Sequence, residues 1–308
     1  GEARVTEIAP GQTLPPARFA LDEVVYVLEG RGLTTVWASD DGPRRTFEWQ
    51  KHSMFLLPRG HHCQIGSTQG TQPARLLHVN YLPISMKIVA DPDFFFNNTH
   101  VNPRILEEDS YSEAKAYVPE GARPGHNIVW YGNFFPDMHA WDRMDKYSER
   151  GSGNFRVGIQ FANSTMWSHM SSFPSRTYKK GHRHGPGTVI VIPGGEGYSI
   201  MWQEGKEKMI IPWHEASMFV PPDRWFHQHF NLGADNARYL ALHVPRMNSA
   251  RGERIENRSR DQIEYVDEEP FIRQKFEEEL ASRGLTTLMP EQAYHDRNYK
   301  WEYGDDDD

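Results

Sequence analysis

Four histidines in two pairs are the residues of this sequence best suited to chemistry. His182 and His184 stand two apart in Gly181-His182-Arg183-His184, and His227 and His229 stand two apart in Trp225-Phe226-His227-Gln228-His229-Phe230-Asn231. On β-strands, side chains two apart share a face, so each pair points one way and all four imidazoles can look into one interior. Neutral imidazoles ligate iron, zinc, copper, nickel and manganese, so ligand type alone does not select the metal. A closed structural zinc site usually has four ligands, often cysteines, and none is near here. Three histidines leave positions open for water, dioxygen or a bidentate substrate. With Fe(II) the set is a neutral analogue of the two-histidine, one-carboxylate triad of non-haem oxygenases. A phenolate, enolate or carboxylate substrate would supply the charge such a site lacks.

The elements that must position these residues read as strands and turns. Between the pairs lie the turn Pro193-Gly194-Gly195-Glu196-Gly197, the strand-like Tyr198-Ser199-Ile200-Met201-Trp202, and a second turn around Glu204-Gly205-Lys206. Tyr198, Ile200 and Trp202 share a face. If that face is interior, Tyr198 and Trp202 line a substrate pocket. Arg224, in the turn before His227, can reach a substrate carboxylate, whereas Arg183, between two inward histidines, should point away. The facing of Gln160, Met166 and His169 is open at this stage.

The H-x-H pair, followed 43 residues after His184 by a third histidine, resembles the cupin superfamily. Its first motif is G, a short gap, H-x-H, three or four residues, E, then G; its second is P-x-G-x-x-H-x-x-x-N. Gly181, His182 and His184 fit the first, and Pro222, His227 and Asn231 fit the second. Two positions depart from the pattern: the glutamate falls at Thr188 or Val189, and the second-motif glycine is Arg224. The resemblance therefore implies a barrel with a three-histidine site and no glutamate ligand. The H-R-H run and the sequence around His227 are also similar to the patterns of gentisate and salicylate ring-cleaving dioxygenases, bicupins that use three histidines. That likeness implies His182, His184 and His227 as metal ligands. It implies His229 as a catalytic neighbour able to hydrogen-bond a ligand or a bound oxygen species. In those enzymes the working metal usually sits in the N-terminal barrel, so their substrate residues do not transfer.

The chain has 308 residues, which suggests about two domains. With 34 Lys plus Arg against 42 Asp plus Glu, the net charge of −8 argues against nucleic acid as a partner. One cysteine, Cys63, fits a reducing compartment, and no long apolar run suggests a membrane span; a cytoplasmic protein is expected. An internal repeat supports the two-domain division: Trp49-x-x-x-Ser53-Met54-Phe55-x-x-Pro58 recurs as Trp213-x-x-x-Ser217-Met218-Phe219-x-x-Pro222, 164 residues later. Matching Gly30 to Gly195 sets Ala17 opposite His182, Phe19 opposite His184 and Cys63 opposite His227. The first copy thus lacks the ligands, with Phe19 expected to fill the ion's space. Glu23, in the family's carboxylate position, should pair with Arg18, Arg59 or another basic group, or remain near solvent.

These observations predict an all-β chain of two cupin barrels of the double-stranded β-helix, or jelly-roll, type, with an aromatic-rich connector and a C-terminal helical tail. Residues 1–82 form the N-terminal barrel, 83–155 the connector, 156–245 the metal-binding barrel and 246–308 an extension to which no chemistry is assigned. A helix is expected between Glu268 and Gly284, burying Phe271, Phe276 and Leu280. The aromatic connector and the helix suggest a homodimer. The expected activity is that of a mononuclear non-haem Fe(II) dioxygenase, with one divalent metal per chain, acting with dioxygen on a small phenolic acid-like or enolisable substrate. The alternatives are an isomerase, lyase or hydrolase using Mn, Ni, Cu or Zn as a Lewis acid, or a non-catalytic small-molecule-binding barrel.

Overall fold

The computed structural model describes residues 1–106, 109–112, 114–122, 128–185, 188–245 and 258–303. Short strands with apolar residues on alternate positions, or on every position, pair into four antiparallel-rich sheets. In the first half, a five-stranded sheet in the order Glu2–Ile8, Ala74–Asn80, Glu23–Glu29, Met54–Leu57, Phe134–Phe135 faces a four-stranded sheet of Ala17–Arg18, His62–Ser67, Arg31–Trp37 and Arg44–Gln50. Val25, Val27, Val36, Phe47, Trp49, Phe55 and Leu76 fill the space between them. In the second half, an eight-stranded sheet contains Thr188–Gly194, Ala237–His243, Trp167–Phe173 and Phe155–Gln160. It faces a five-stranded sheet in the order Met209–Trp213, Gly197–Trp202, Phe226–Asn231, Gly181–His182, Gln262–Ile263. The chain is therefore all-β, two jelly-roll barrels with a short helical C-terminal region.

The repeat read from the sequence is present in the hydrogen-bond register. Ala17 is the pairing partner of Cys63, and His182 is the partner of His227. Gly30 and Gly195 both have a left-handed backbone, with φ of 91° and 103°. A Cβ on either would lie 2.8 Å from the Cα of Ala74 or Ala237 respectively, so both turns require glycine. In the first barrel Glu23 is buried and accepts from Arg4 Nη1 at 2.6 Å, Arg4 Nη2 at 2.8 Å and Asn80 Nδ2 at 2.9 Å, with His78 Nδ1 2.7 Å away. Burial alone would raise its pKa, but the bonds to His78 and Arg4 prevail and hold it at about 2. Its partners are thus Arg4 and His78, whereas Arg59 pairs with Asp22. Phe19 does not fill the interior: it is half-exposed and stacks on Phe96 of the connector, ring centroids 5.5 Å apart. The strand that carries it ends at Arg18, so the chain has left the barrel wall before Phe19.

The barrels pack through the outer faces of their larger sheets. Val24, Tyr26, Met54, Leu56, Leu77 and Val79 meet Val157, Ile159, Met170, Val191, Leu240 and Leu242, with Trp130 and Phe135 between. The segment between the barrels contributes strands to both: Phe134–Phe135 pairs with Met54–Leu57, and Val129–Tyr131 runs parallel to Phe155–Gln160. No helix among the described residues is long and apolar enough to cross a membrane.

The C-terminal segment does more than the sequence suggests. Gln262–Ile263 joins the five-stranded sheet as its last strand, and the helix Pro270–Ala281 covers that sheet's outer face. Pro at the helix start, apolar residues at Ile272, Phe276 and Leu280, and the Arg273–Glu277 and Lys275–Glu279 pairs account for the helix. Gly284, at φ 70°, ends it as Leu285 N–H donates to Leu280 O. The buried residue of the first turn is Ile272, and the expected Phe271 is exposed, because the buried stripe runs strictly every four residues. Residues 246–257 and 304–308 lie outside the described residues.

Glu268, just before this helix, is half-buried and bonded to Tyr178 Oη at 2.9 Å and Gln228 Nε2 at 2.7 Å. Burial outweighs those bonds and raises its pKa from 4.5 to about 8. The acid is then neutral in the fold across a range where the unfolded chain ionises, so stability falls as pH rises from 4.5 to about 8. Glu268→Gln should remove this dependence. Melting curves of both proteins should show the variant gaining on the wild type steadily as pH rises through that window; a constant gap would contradict it.

Candidate metal centre

His182, His184 and His227 converge inside the second barrel. One ligating atom from each lies within 4.8 Å of the others. His182 and His227 are cross-strand partners with ring centroids 4.4 Å apart, and the His184 ring lies 4.7 Å from His227. Each imidazole has its Nδ1 against a backbone carbonyl: His182 to Lys180 O at 3.1 Å, His184 to Gly185 O at 2.8 Å, and His227 to Trp225 O at 3.1 Å. A carbonyl can only accept, so it fixes the proton on Nδ1 and presents the Nε2 lone pair. Burial, with help from neighbouring positive groups, drives His182 and His227 well below the usual histidine range, so both stay neutral. This donor set fits a divalent transition metal with open positions, and His182, His184 and His227 would hold it.

His229 differs from these three. It is buried, and its ring centroid lies 5.5 Å from His227, but its Nδ1 meets the Ser199 hydroxyl at 2.8 Å. Tyr239 packs against it at 4.5 Å and Phe219 at 6.0 Å. Thr188, at one of the two places where the family's glutamate would fall, also faces this interior and bonds His243 Nδ1 at 3.1 Å. His243 in turn meets His169 Nδ1 at 2.8 Å, which settles the facing of His169 as inward.

Tyr198 and Trp202 are not brought to the site. They register against Phe230 and Phe226, on the face opposite His227 and His229, and stack on those rings at 4.5 and 5.5 Å. That face is covered by the C-terminal helix and forms a core of its own. Arg224 also has another task. At φ 60° it adopts the left-handed backbone of the glycine it replaces, its N–H donates to His184 O at 3.1 Å, and its Nη2 bonds Asp261 Oδ1 at 2.9 Å. Arg183 points outward as expected and bonds the same oxygen through Nε at 2.9 Å. Buried Asp261, from the C-terminal segment, thus ties together the turns that carry His184 and His227.

Sequence reasoning passed over Lys179, whose side chain enters the barrel. Its Nζ donates to Ser171 Oγ at 2.7 Å and lies 4.6 Å from the Phe173 ring centroid and 5.4 Å from that of Tyr239. Burial, then Arg150 and Arg156, lower its pKa from 10.5 to about 7. Tyr178 bridges to Phe230 while His182 pairs with His227, so four steps on one strand match three on the other. This bulge resets the alternation and turns Lys179 inward along with His182.

No family model matches the sequence, and no curated protein matches it. Solved structures of similar shape include Bacillus subtilis oxalate decarboxylase at pH 4.6, at 12% identity and TM-score 0.46 over 78% of this chain and 67% of that one. Another is the formate complex of Lactobacillus farciminis oxalate decarboxylase, at 12% identity and TM-score 0.49 over 79% and 77%. Similarity this low describes neither the metal nor the reaction of the present chain.

Two outcomes test the centre. His182→Ala, His184→Ala and His227→Ala should each abolish metal retention measured by elemental analysis, while His229→Ala keeps about one equivalent and loses roughly 10–100-fold in turnover. Equal metal loss in all four would make His229 a ligand. Asp261→Ala leaves Arg183 without its buried partner and should cost about 3 kcal/mol in chemical denaturation, together with weaker metal retention. Unchanged denaturation and metal content would show that Asp261 does not hold the turns.

Proposed function

We propose that this protein is a mononuclear metal-dependent enzyme, an Fe(II) dioxygenase acting on a small chelating substrate such as a phenolic acid or an enolisable compound. The observation that carries the proposal is the donor set: three imidazoles, His182 and His227 buried and His184 half-buried, each fixed by a backbone carbonyl, with no carboxylate among them. When bound, the metal would supply open coordination positions at which substrate and dioxygen meet.

The chain's own residues would do the rest. Tyr239 and Phe219 wall the interior beside the histidines and keep water from it. Ser199 can donate to or accept from His229 Nδ1, so His229 can carry its proton on either nitrogen without losing that bond. A neutral imidazole so placed can take a proton from a substrate hydroxyl or return one to a product; its pKa is held low by burial and by His227. Arg183, Arg224 and Asp261 would hold the ligand-bearing turns in place without touching substrate.

The test is to purify the protein without oxygen, load Fe(II), and measure oxygen consumption across phenolic acids, diketones and thiols. Uptake with one class, absent in His182→Ala, is expected. Turnover supported by manganese or zinc with no oxygen consumed would overturn the dioxygenase reading and leave a Lewis-acid enzyme in its place.

A further inference from the structure

Lys179 is a buried amine inside the second barrel. Its residue is 5% exposed, and among the described residues no carboxylate is paired with it. The Ser171 hydroxyl takes one of the three N–H donors of the ammonium, and the faces of Phe173 and Tyr239 offer only weak attraction. The charged groups that act on it most strongly, Arg150 and Arg156, are both positive. The nearby imidazoles His169, His227 and His229 are in turn pushed toward neutrality by Lys179 among other causes, of which burial is the largest. Lys179 Nζ therefore shares the interior with a neutral set of chelating atoms, and no carboxylate is paired with it among the described residues. A buried lysine without a counter-ion either gives up its proton or is supplied with negative charge, and an anion brought to it restores the charged form.

We infer that Lys179 forms a carboxylate subsite, so that the substrate of this barrel is a small organic anion whose carboxylate sits against Lys179. Its other end would lie toward His182, His184 and His227; only this orientation rests on the metal reading above. The Tyr239 ring lies 4.5 Å from the His229 ring and 5.4 Å from Lys179 Nζ, so it borders both ends of the proposed site, and a singly substituted ring or a short-chain acid is the size of molecule proposed. Loss of the charged hydrogen bond should weaken binding by about tenfold or more.

The test uses benzoate and acetate as probes, with benzamide and acetamide as their uncharged counterparts, titrated calorimetrically into metal-free protein. At pH 6 Lys179, with a pKa near 7, is charged. Wild-type protein should prefer at least one carboxylate over its amide by about tenfold or more, and Lys179→Met should lose that preference while binding the amides unchanged. No preference in the wild type, or a preference that survives in a folded Lys179→Met, would overturn the subsite. The wild-type comparison stands even if the variant fails to fold. Reloading the same preparations with Fe(II) or Mn(II) separates the two readings: a carboxylate preference in a protein that then retains no metal upholds the subsite and sinks the metal centre.

Discussion

A strand of two residues, Gly181–His182, holds the second barrel's chemistry together. It is bonded on one side to Phe226–Asn231, which brings His227 opposite His182, and on the other to Gln262–Ile263 from the C-terminal segment. So short a strand has little hold of its own. Its position depends on partners on both flanks and on Asp261, whose backbone carbonyl accepts from Arg183 N–H at 2.9 Å while its side chain binds Arg183 and Arg224. An edge strand here would leave the ligands on a frayed border. Pairing with Gln262–Ile263 makes it instead the fourth of five strands, bonded on both flanks.

The two barrels share backbone geometry but not chemistry. Ala17 pairs with Cys63 where His182 pairs with His227, and the glycine turns at Gly30 and Gly195 repeat one another closely. In the first barrel Arg4, His78 and Asn80 surround the Glu23 carboxylate and satisfy both of its oxygens. Among the described residues, only His182, His184 and His227 form a cluster that can hold a metal. The first barrel's larger sheet instead serves as a wall against which the second is built, through Val24, Tyr26, Leu77 and their partners.

Much of this was legible in the residues. The two-residue spacing of the histidines placed all four inside, and the repeated Trp–Ser–Met–Phe–Pro pattern gave a register that the strand pairings bear out. Three features escaped. Tyr198 and Trp202 were open to misplacement because the sheet carrying them is buried on both faces, so hydrophobicity does not say which face meets the histidines. Lys179 was hidden by the bulge, which breaks the alternation from which facing is read. Asp261 acts on Arg183 across 78 residues of sequence, and a single aspartate in a polar stretch carries no local mark of such a partner.

The lateness of Gln262–Ile263 in the chain has a consequence for biogenesis. Ribosomes deliver a chain from its N-terminus, and domains begin to form as they emerge. The first barrel and every ligand of the second are made before the strand that completes their sheet and before the helix Pro270–Ala281 that covers its outer face. Until those residues appear, His182 sits at an unfinished border, and the apolar face of Tyr178, Tyr198 and Phe230 is bare. Closure of the ligand cluster therefore waits for residues that are made after all three of its histidines.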